Sequence, residues 1–199
     1  DAIDRVAPMQ NHQLTLTGGG AKGRYLMGLN YFNQLGTVEY SYYNRYQTRM
    51  NTSFDIRSWL RVGENLQYTW TKDVGLHNNT SEANPYSWTY RSSPWVPVKD
   101  TFGNWGGSKI AGTGNWVNVV AQEERNKDNY WSNTRIFGNI WAEVDLIKEL
   151  TYRTSFGLDY TNAYSYYISK KNPEFSESPG TNHFQEASSF NFRWVWTNT

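Results

Sequence analysis

Between Arg135 and Tyr160 the chain changes polarity at every second residue. Ile136, Gly138, Ile140, Ala142 and Val144 fall on one side, and Arg135, Phe137, Asn139, Trp141 and Glu143 on the other. After a connection at Asp145 to Glu149 the period resumes: Tyr152, Thr154, Phe156, Leu158 and Tyr160 oppose Thr151, Arg153, Ser155, Gly157 and Asp159. Successive strand side chains point to opposite faces, so this pattern predicts a hairpin with one apolar and one largely polar face. Each run is about ten residues, whereas strands of soluble domains most often have about five or six. A tilted strand crossing a bilayer needs about nine to eleven. Long strands with charges confined to one face predict a wall between hydrocarbon and water.

Composition is compatible with that wall. Mean hydropathy is −0.78, and no run approaches the eighteen or so apolar residues of a membrane helix. A membrane barrel needs apolar residues only at alternate positions, so low hydropathy does not exclude it. Aromatic residues make up 17 % of the chain, with 10 Trp and 15 Tyr, an excess suited to interfacial girdles or to surfaces that stack on sugars. The net charge of +1 leaves no nucleic-acid footprint. The chain has 0 Cys, which removes disulfides, thiolate nucleophiles and thiolate metal sites together.

Along the chain the period recurs. Leu14 and Leu16 share a face before the glycine-rich break at Gly18 to Gly23; Tyr25, Met27, Leu29 and Tyr31 follow. Tyr46, Thr48, Met50, Thr52, Phe54 and Ile56 oppose Arg45, Gln47, Arg49, Asn51, Ser53 and Asp55. After a turn near Arg57 to Trp59 come Leu60, Val62, Leu66, Tyr68 and Trp70, with Glu64 intruding on their side. Residues 73–129 hold no sustained period and predict a long loop; 162–183 predict a second. A last strand carries Phe190, Phe192, Trp194 and Trp196 on one face. Connections thus run short, medium, short, very long, short, long. Antiparallel neighbours joined in this way place every short turn at one end, the asymmetry of bacterial outer-membrane barrels. About seven strands are fewer than the roughly eight that close such a barrel. An open sheet in lipid leaves edge groups unpaired at several kcal/mol each, roughly. The fold class is therefore all-β, part of a larger antiparallel up-and-down transmembrane barrel.

Several of these segments resemble a known family. Gln10-Asn11-His12-Gln13-Leu14 leading to Thr17-Gly18-Gly19, then Leu29-Asn30-Tyr31-Phe32-Asn33-Gln34-Leu35-Gly36, is similar to the early barrel of SusC/RagA-type TonB-dependent transporters. Arg45 to Asn51, Trp59 to Gly63 and Leu150 to Tyr160 fit the same pattern. The resemblance covers residues 1–199 apart from the two long loops. It implies a barrel of roughly 22 strands with a plugged lumen, in the outer membrane of a Gram-negative bacterium. It implies import of oligosaccharides or peptides, energised by the TonB complex through an N-terminal part this segment lacks, with a SusD-like surface lipoprotein as lid.

Candidate site residues follow from position. On the long loop, Trp88, Tyr90, Trp95, Trp105 and Trp116 are ligand-binding candidates, since aromatic faces stack on sugar rings or peptide side chains and loops on rigid scaffolds often bind. The competing and favoured reading is packing, because a loop of this size needs a small core of its own. Arg45, Arg49, Arg135, Glu143, Arg153 and Asp159 are expected to face the lumen, lining the path or pairing with the plug or each other, since an unpaired buried charge is costly. Tyr25, Leu29, Met50, Phe156 and Leu158 are expected to face lipid, and Asn51 the lumen. The glycine run lacks the ending of a phosphate loop, and Gly106 to Ile110 fails the nucleophile elbow at its last position. His12, His77 and His183 lack paired-ligand spacing. No catalytic constellation, metal site or cofactor is expected, so the chain reads as a non-enzyme. Two other readings stay open: a soluble, secreted β-sandwich that binds glycans, which requires a second sheet, and a passive porin without a plug.

Overall fold

A computed structural model describes residues 3–75, 84–178 and 180–199; His77 and Pro179 lie outside them. The strands are β1 (Met9–Gly20), β2 (Gly23–Leu35), β3 (Tyr42–Arg57), β4 (Leu60–Val74), β5 (Tyr130–Ile147), β6 (Leu150–Ser169) and β7 (His183–Asn198). They form a 7-stranded sheet in sequence order, every neighbour antiparallel. Two short helices, α1 (Pro85–Arg91) and α2 (Val119–Asn126), lie between β4 and β5. The fold class read from the periodicity is the one found, an up-and-down barrel wall. The sheet is open because the chain is a fragment of the barrel.

Register turns the strand alternation into rows. On the apolar face, Leu16, Met27, Met50, Leu66, Gly138, Leu158 and Trp194 align across the sheet. Two rows away, Tyr31 and Tyr46 meet at 5.0 Å and Tyr46 and Trp70 at 5.6 Å between ring centroids, each pair tilted by 42°. Towards the opposite end Tyr25, Phe54, Tyr152 and Phe156 supply aromatic rings to the same face. Tyr46 and Phe54 stand about 26 Å apart along β3 at about 3.3 Å per residue, or about 20 Å along the axis of a barrel tilted about 40°. That separation matches aromatic girdles flanking a hydrocarbon band about 25 Å tall. Glu64 lies on this face, where the Thr52 hydroxyl of the adjacent strand donates to its carboxylate.

The ends of the sheet differ. Tight turns at Ala21-Lys22, Ser58-Trp59 and Lys148-Glu149 close one end; the longer connections leave from the other, after Leu35, Val74 and Ser169. The second long loop is shorter than the expected 162–183, since β6 continues to Ser169. Tyr164, Tyr166 and Ile168 keep the alternation, and β5 and β7 extend beside them to pair it. The β5–β6 turn is also tighter than the Asp145 to Glu149 segment suggests, because a register shift between Asp145 and Ile147 absorbs the extra residue. Strands of up to 20 residues exceed what a bilayer needs, so they carry the loops clear of the interface.

Among the described residues, the buried apolar side chains are Ile3, Val74, Trp116, Val117, Val119 and Ala121. All sit at the long-loop end. Among the described residues the sheet encloses no core and no second sheet covers its apolar face, the arrangement of a wall rather than of a sandwich layer.

Gly138 tests how tightly the ladder is specified. Its φ is +152°, and a Cβ there would lie 1.9 Å from the Asn65 carbonyl oxygen. Gly138→Ala in the whole barrel is expected to cost about 1–3 kcal/mol through strain and displaced strand pairing, read as a lower thermal midpoint of the compact band in unboiled SDS gels. An unchanged midpoint would show that β4 and β5 do not approach this closely.

Candidate functional site

The long loop holds itself up with polar capping and a small core. Asn84 caps α1 by accepting from Tyr86 N at 2.9 Å, and Pro85 at the helix start fixes the backbone angle that a first turn requires. Asn118 caps α2, accepting from Ala121 N at 3.2 Å, while its amide donates to the carbonyls of Val98 and Gly106 at 2.9 and 2.8 Å. One side chain therefore ties the helix to the strand-like turn around Asp100. The second loop locks onto this body. Arg125 binds Glu174 through two contacts of 2.5 and 3.0 Å and Asn172 at 2.6 Å, and Asn172 donates to Gln122 at 3.0 Å. Ser108 meets Ser176 at 3.3 Å and Asn115 donates to Glu177 at 2.8 Å. A charge-assisted pair this buried holds only with such satisfied geometry.

The segment before β1 joins the same end through an isolated antiparallel bridge between Asp4 and Val38. Arg5 donates to the carbonyls of Gly36 and Ser41 at 3.1 and 2.6 Å, and Tyr86 donates to Asp4 at 3.1 Å.

The five loop aromatics separate into two groups. Trp116 is 4 % exposed and donates its indole N–H to Thr113 O at 2.9 Å, so it is part of the loop core and presents no face to a ligand. Trp88 is half-buried, and Trp105 is half-covered with Lys99 Nζ 4.0 Å above its ring. Tyr90 and Trp95 are 91 % and 90 % exposed. Phe102, at 89 % exposure, belongs with them but was not singled out in the sequence. The signal was present: Asp100 accepts from Phe102 N and Asn104 N at 2.8 and 2.9 Å, and Gly103 has φ of +84°, a turn that projects Phe102 at its tip. The Asn104 amide, with these backbone donors, holds the Asp100 carboxyl below its ordinary value.

The polar face of the sheet gathers the other candidates. Arg45, Arg49, Arg135, Glu143, Arg153 and Asp159 all share it, as the register requires. Arg135 and Asp159 form a two-bond fork, each contact 2.9 Å. Arg153 donates to Glu143 at 2.6 Å, Arg61 bridges Glu143 at 3.0 Å and Asp145 at 2.8 and 2.9 Å, and Thr151 closes the row on Asp145 at 2.7 Å. Arg61, Asp145 and Thr151 extend a ladder of which only Glu143 and Arg153 were anticipated. Between these rows runs a chain of amides: Asn65 donates to Asn139 at 3.1 Å and Asn139 to Ser155 at 3.0 Å, and with the Asn51 amide oriented so that its oxygen accepts from Arg49 Nε, its nitrogen donates to Asn65 at 3.2 Å. Such cross-strand pairs contribute roughly 0.2–1 kcal/mol each. Among the described residues no group of three or more His, Asp or Glu side chains is placed to hold a metal ion.

Comparison with known proteins gives one direction. The chain is 27 % identical over 163 residues to TonB-dependent receptor P39 of Formosa agariphila, covering 81 % of this chain and 15 % of that protein. It is 24 % identical over 164 residues to TonB-dependent receptor P26 of the same organism, covering 82 % and 16 %. The chain therefore spans about a sixth of the curated relatives it matches. Among solved structures it superposes on that of the RagAB peptide transporter with a TM-score of 0.75 at 20 % identity, over 99 % of this chain and 22 % of the other. The RagAB peptide importer in its "closed-closed" state gives 0.73 at the same identity. No protein-family model matches. The resemblance to SusC/RagA-type TonB-dependent transporters holds, the homologues are receptors, and the matching segment is part of the barrel.

Glu123 of α2 provides a test of the loop body. It is 3 % exposed, its Oε1 has no partner, and burial pushes its carboxyl up to about 7. An acid whose folded value lies above its unfolded 4.5 destabilises the fold once charged. The loop body is thus firmest below about pH 4.5 and loses roughly 3 kcal/mol as pH rises through about 7. Hydrogen exchange of α2, corrected for intrinsic rates, is expected to be faster at pH 8 than at pH 6 in the native protein. Glu123→Gln is expected to abolish the difference, and an undiminished difference in that variant would remove Glu123 as the cause.

Proposed function

We propose that this chain forms wall and extracellular loops of a SusC-like, TonB-dependent importer in a Gram-negative outer membrane. Its cargo is oligosaccharide or peptide, received with a SusD-like lipoprotein. The long-loop end (residues 75–129 and 170–182) faces outward, and the tight turns face the periplasm. The observation that carries this reading is the apolar face: seven strands present it edge to edge with no layer over it among the described residues. Similarity to TonB-dependent receptors supports active import over a passive porin. The RagAB structures, titled as those of a peptide transporter and importer, support peptide as one cargo class and a two-component assembly. The proteins it resembles are named as receptors and transporters, which supports a non-enzymatic role. In this reading the polar face lines the lumen. Tyr90, Trp95 and Phe102, all in the long loop, offer their exposed rings to ligand or lid.

Two measurements on the whole protein test this. Leu158→Arg places a cation near the middle of the apolar face and is expected to cost about 2–4 kcal/mol at the bilayer midplane, seen as loss of the folded barrel from outer membranes; normal assembly would sink the lipid-facing assignment. Tyr90→Ala with Trp95→Ala is expected to leave the barrel folded and lower growth on the imported oligosaccharide or peptide severalfold. Unimpaired growth would return these rings to surface without a binding role.

A further inference from the structure

We propose that the polar face of β1–β3 carries a binding hollow for an oxyanion, a carboxylate or sulfate group on the solute in transit, with Arg45 and Arg49 as its cations. The proposal rests on the reading of that face as the lumen. It starts from a contrast within one wall. On β4–β6 the arginines are neutralised in place: Arg61 and Arg153 by Glu143 and Asp145, and Arg135 by Asp159, all at 3.0 Å or less. On β2 and β3, among the described residues, no carboxylate lies within ion-pair distance of Arg24, Arg45 or Arg49. Arg45 donates to the amide oxygen of Asn30 at 3.3 Å and stands 5.4 Å over the Phe32 ring, which leaves its charge without an anion, and its buried Nε has no hydrogen-bond partner. Arg49 reaches only the amide oxygen of Asn51 at 3.1 Å.

The surface beside these arginines is hollow. Gly28 sits in register between Thr15 and Arg49, and a Cβ there would meet nothing nearer than Arg49 at 3.8 Å. The missing side chain opens a depression of about 380 Å³ bordered by Gln13, Asn30, Gln47 and the two arginines. That is within the size range of small-ligand sites, roughly 300–1,000 Å³. Both N–H groups of Asn30 are taken by Asn11 Oδ1 and His12 O at 2.7 and 3.3 Å, whereas the amides of Gln13 and Gln47, which border the hollow, have N–H groups to offer beside the two guanidiniums. Guanidinium forks match planar oxyanions, and in a confined lumen an unpaired cation raises the affinity of whatever anion arrives. Arg45 and Arg49 stand about 13 Å apart along β3 at about 3.3 Å per residue, so they flank the hollow from either end. A solute that comes and goes fits a site left uncompensated by its own wall, whereas the paired arginines of β4–β6 fit a structural role.

The test uses the full-length receptor in detergent and two acidic probes, triglutamate and trigalacturonate, each against its neutral counterpart, triglutamine or trigalactose. The wild type is expected to prefer at least one acidic probe, with the preference weakening as salt rises. Arg45→Gln with Arg49→Gln is expected to reduce that preference by about tenfold or more. Arg45→Lys with Arg49→Lys is expected to retain part of it, and Lys22→Gln in the periplasmic turn all of it. No acidic preference in the wild type, or the same preference in the double Gln variant, overturns the proposal. So does a full-length structure in which a carboxylate from another part of the protein sits on both arginines. Cysteines at Gln47 and Thr48 separate this from failure of the lumen reading: a membrane-impermeant thiol reagent entering from water is expected to label Gln47→Cys and spare Thr48→Cys. Reversed labelling sinks both, and the expected labelling without an anion preference sinks only the hollow.

Discussion

The structure depends on a requirement of hydrocarbon: each backbone N–H and C=O inside it must be paired within the protein. An antiparallel ladder meets this for every strand that has two neighbours, and β2 to β6 each have both. β1 and β7 have one neighbour each, and in the proposed barrel their outer edges are where further strands would pair. Once the ladder is imposed, side chains have only two directions, and the sequence assigns apolar residues to one and polar residues to the other. Glu64 shows the rule under load, since the one carboxylate on the central apolar rows is answered by a hydroxyl on the adjoining strand.

The polar face follows the same logic with different chemistry. Cross-strand spacing brings side chains from adjacent strands close enough to bond directly, so a row of like amides becomes the Asn51–Asn65–Asn139 chain and a row of alternating charge becomes the Arg153–Glu143–Arg61–Asp145 ladder. These rows run across the strands and stiffen the wall from within without requiring a packed core. Stiffness matters because loops at the outer end are only as well placed as the strands that carry them.

Strand number, order and facing were legible because period-two alternation reports directly on which environment each side meets. The charged residues chosen for one face fell there, since register preserves parity along each strand. The second loop was overestimated because Asn162 and Ala163 interrupt the apolar set just before Tyr164, Tyr166 and Ile168 resume it. The interior of the long loop was beyond reach. Nothing local in Trp116 distinguishes it from Trp95, yet one is enclosed and the other 90 % exposed. What separates them is the docking of α2 against Glu174 and Asn172, a contact made across about fifty residues of sequence, and such pairing leaves no periodic trace.

That contact also explains why two loops behave as one body. A long loop with little regular structure is expensive to order, and Trp116, Val117, Val119 and Ala121 supply it with a core of only modest size. Fastening 75–129 to 170–182 through Arg125 shares the cost between two connections anchored on four strands, β4 to β7. The exposed rings of Tyr90, Trp95 and Phe102 are then carried on a braced platform rather than on a free tether. Rings held this way lose less freedom when a partner arrives, so more of the contact area is converted into affinity. The buried Glu123 within the same platform works against that bracing at neutral pH, which leaves the loop body less firm than its packing alone would make it. In the proposed importer, a surface that admits solute and then releases it is served by that balance between bracing and looseness.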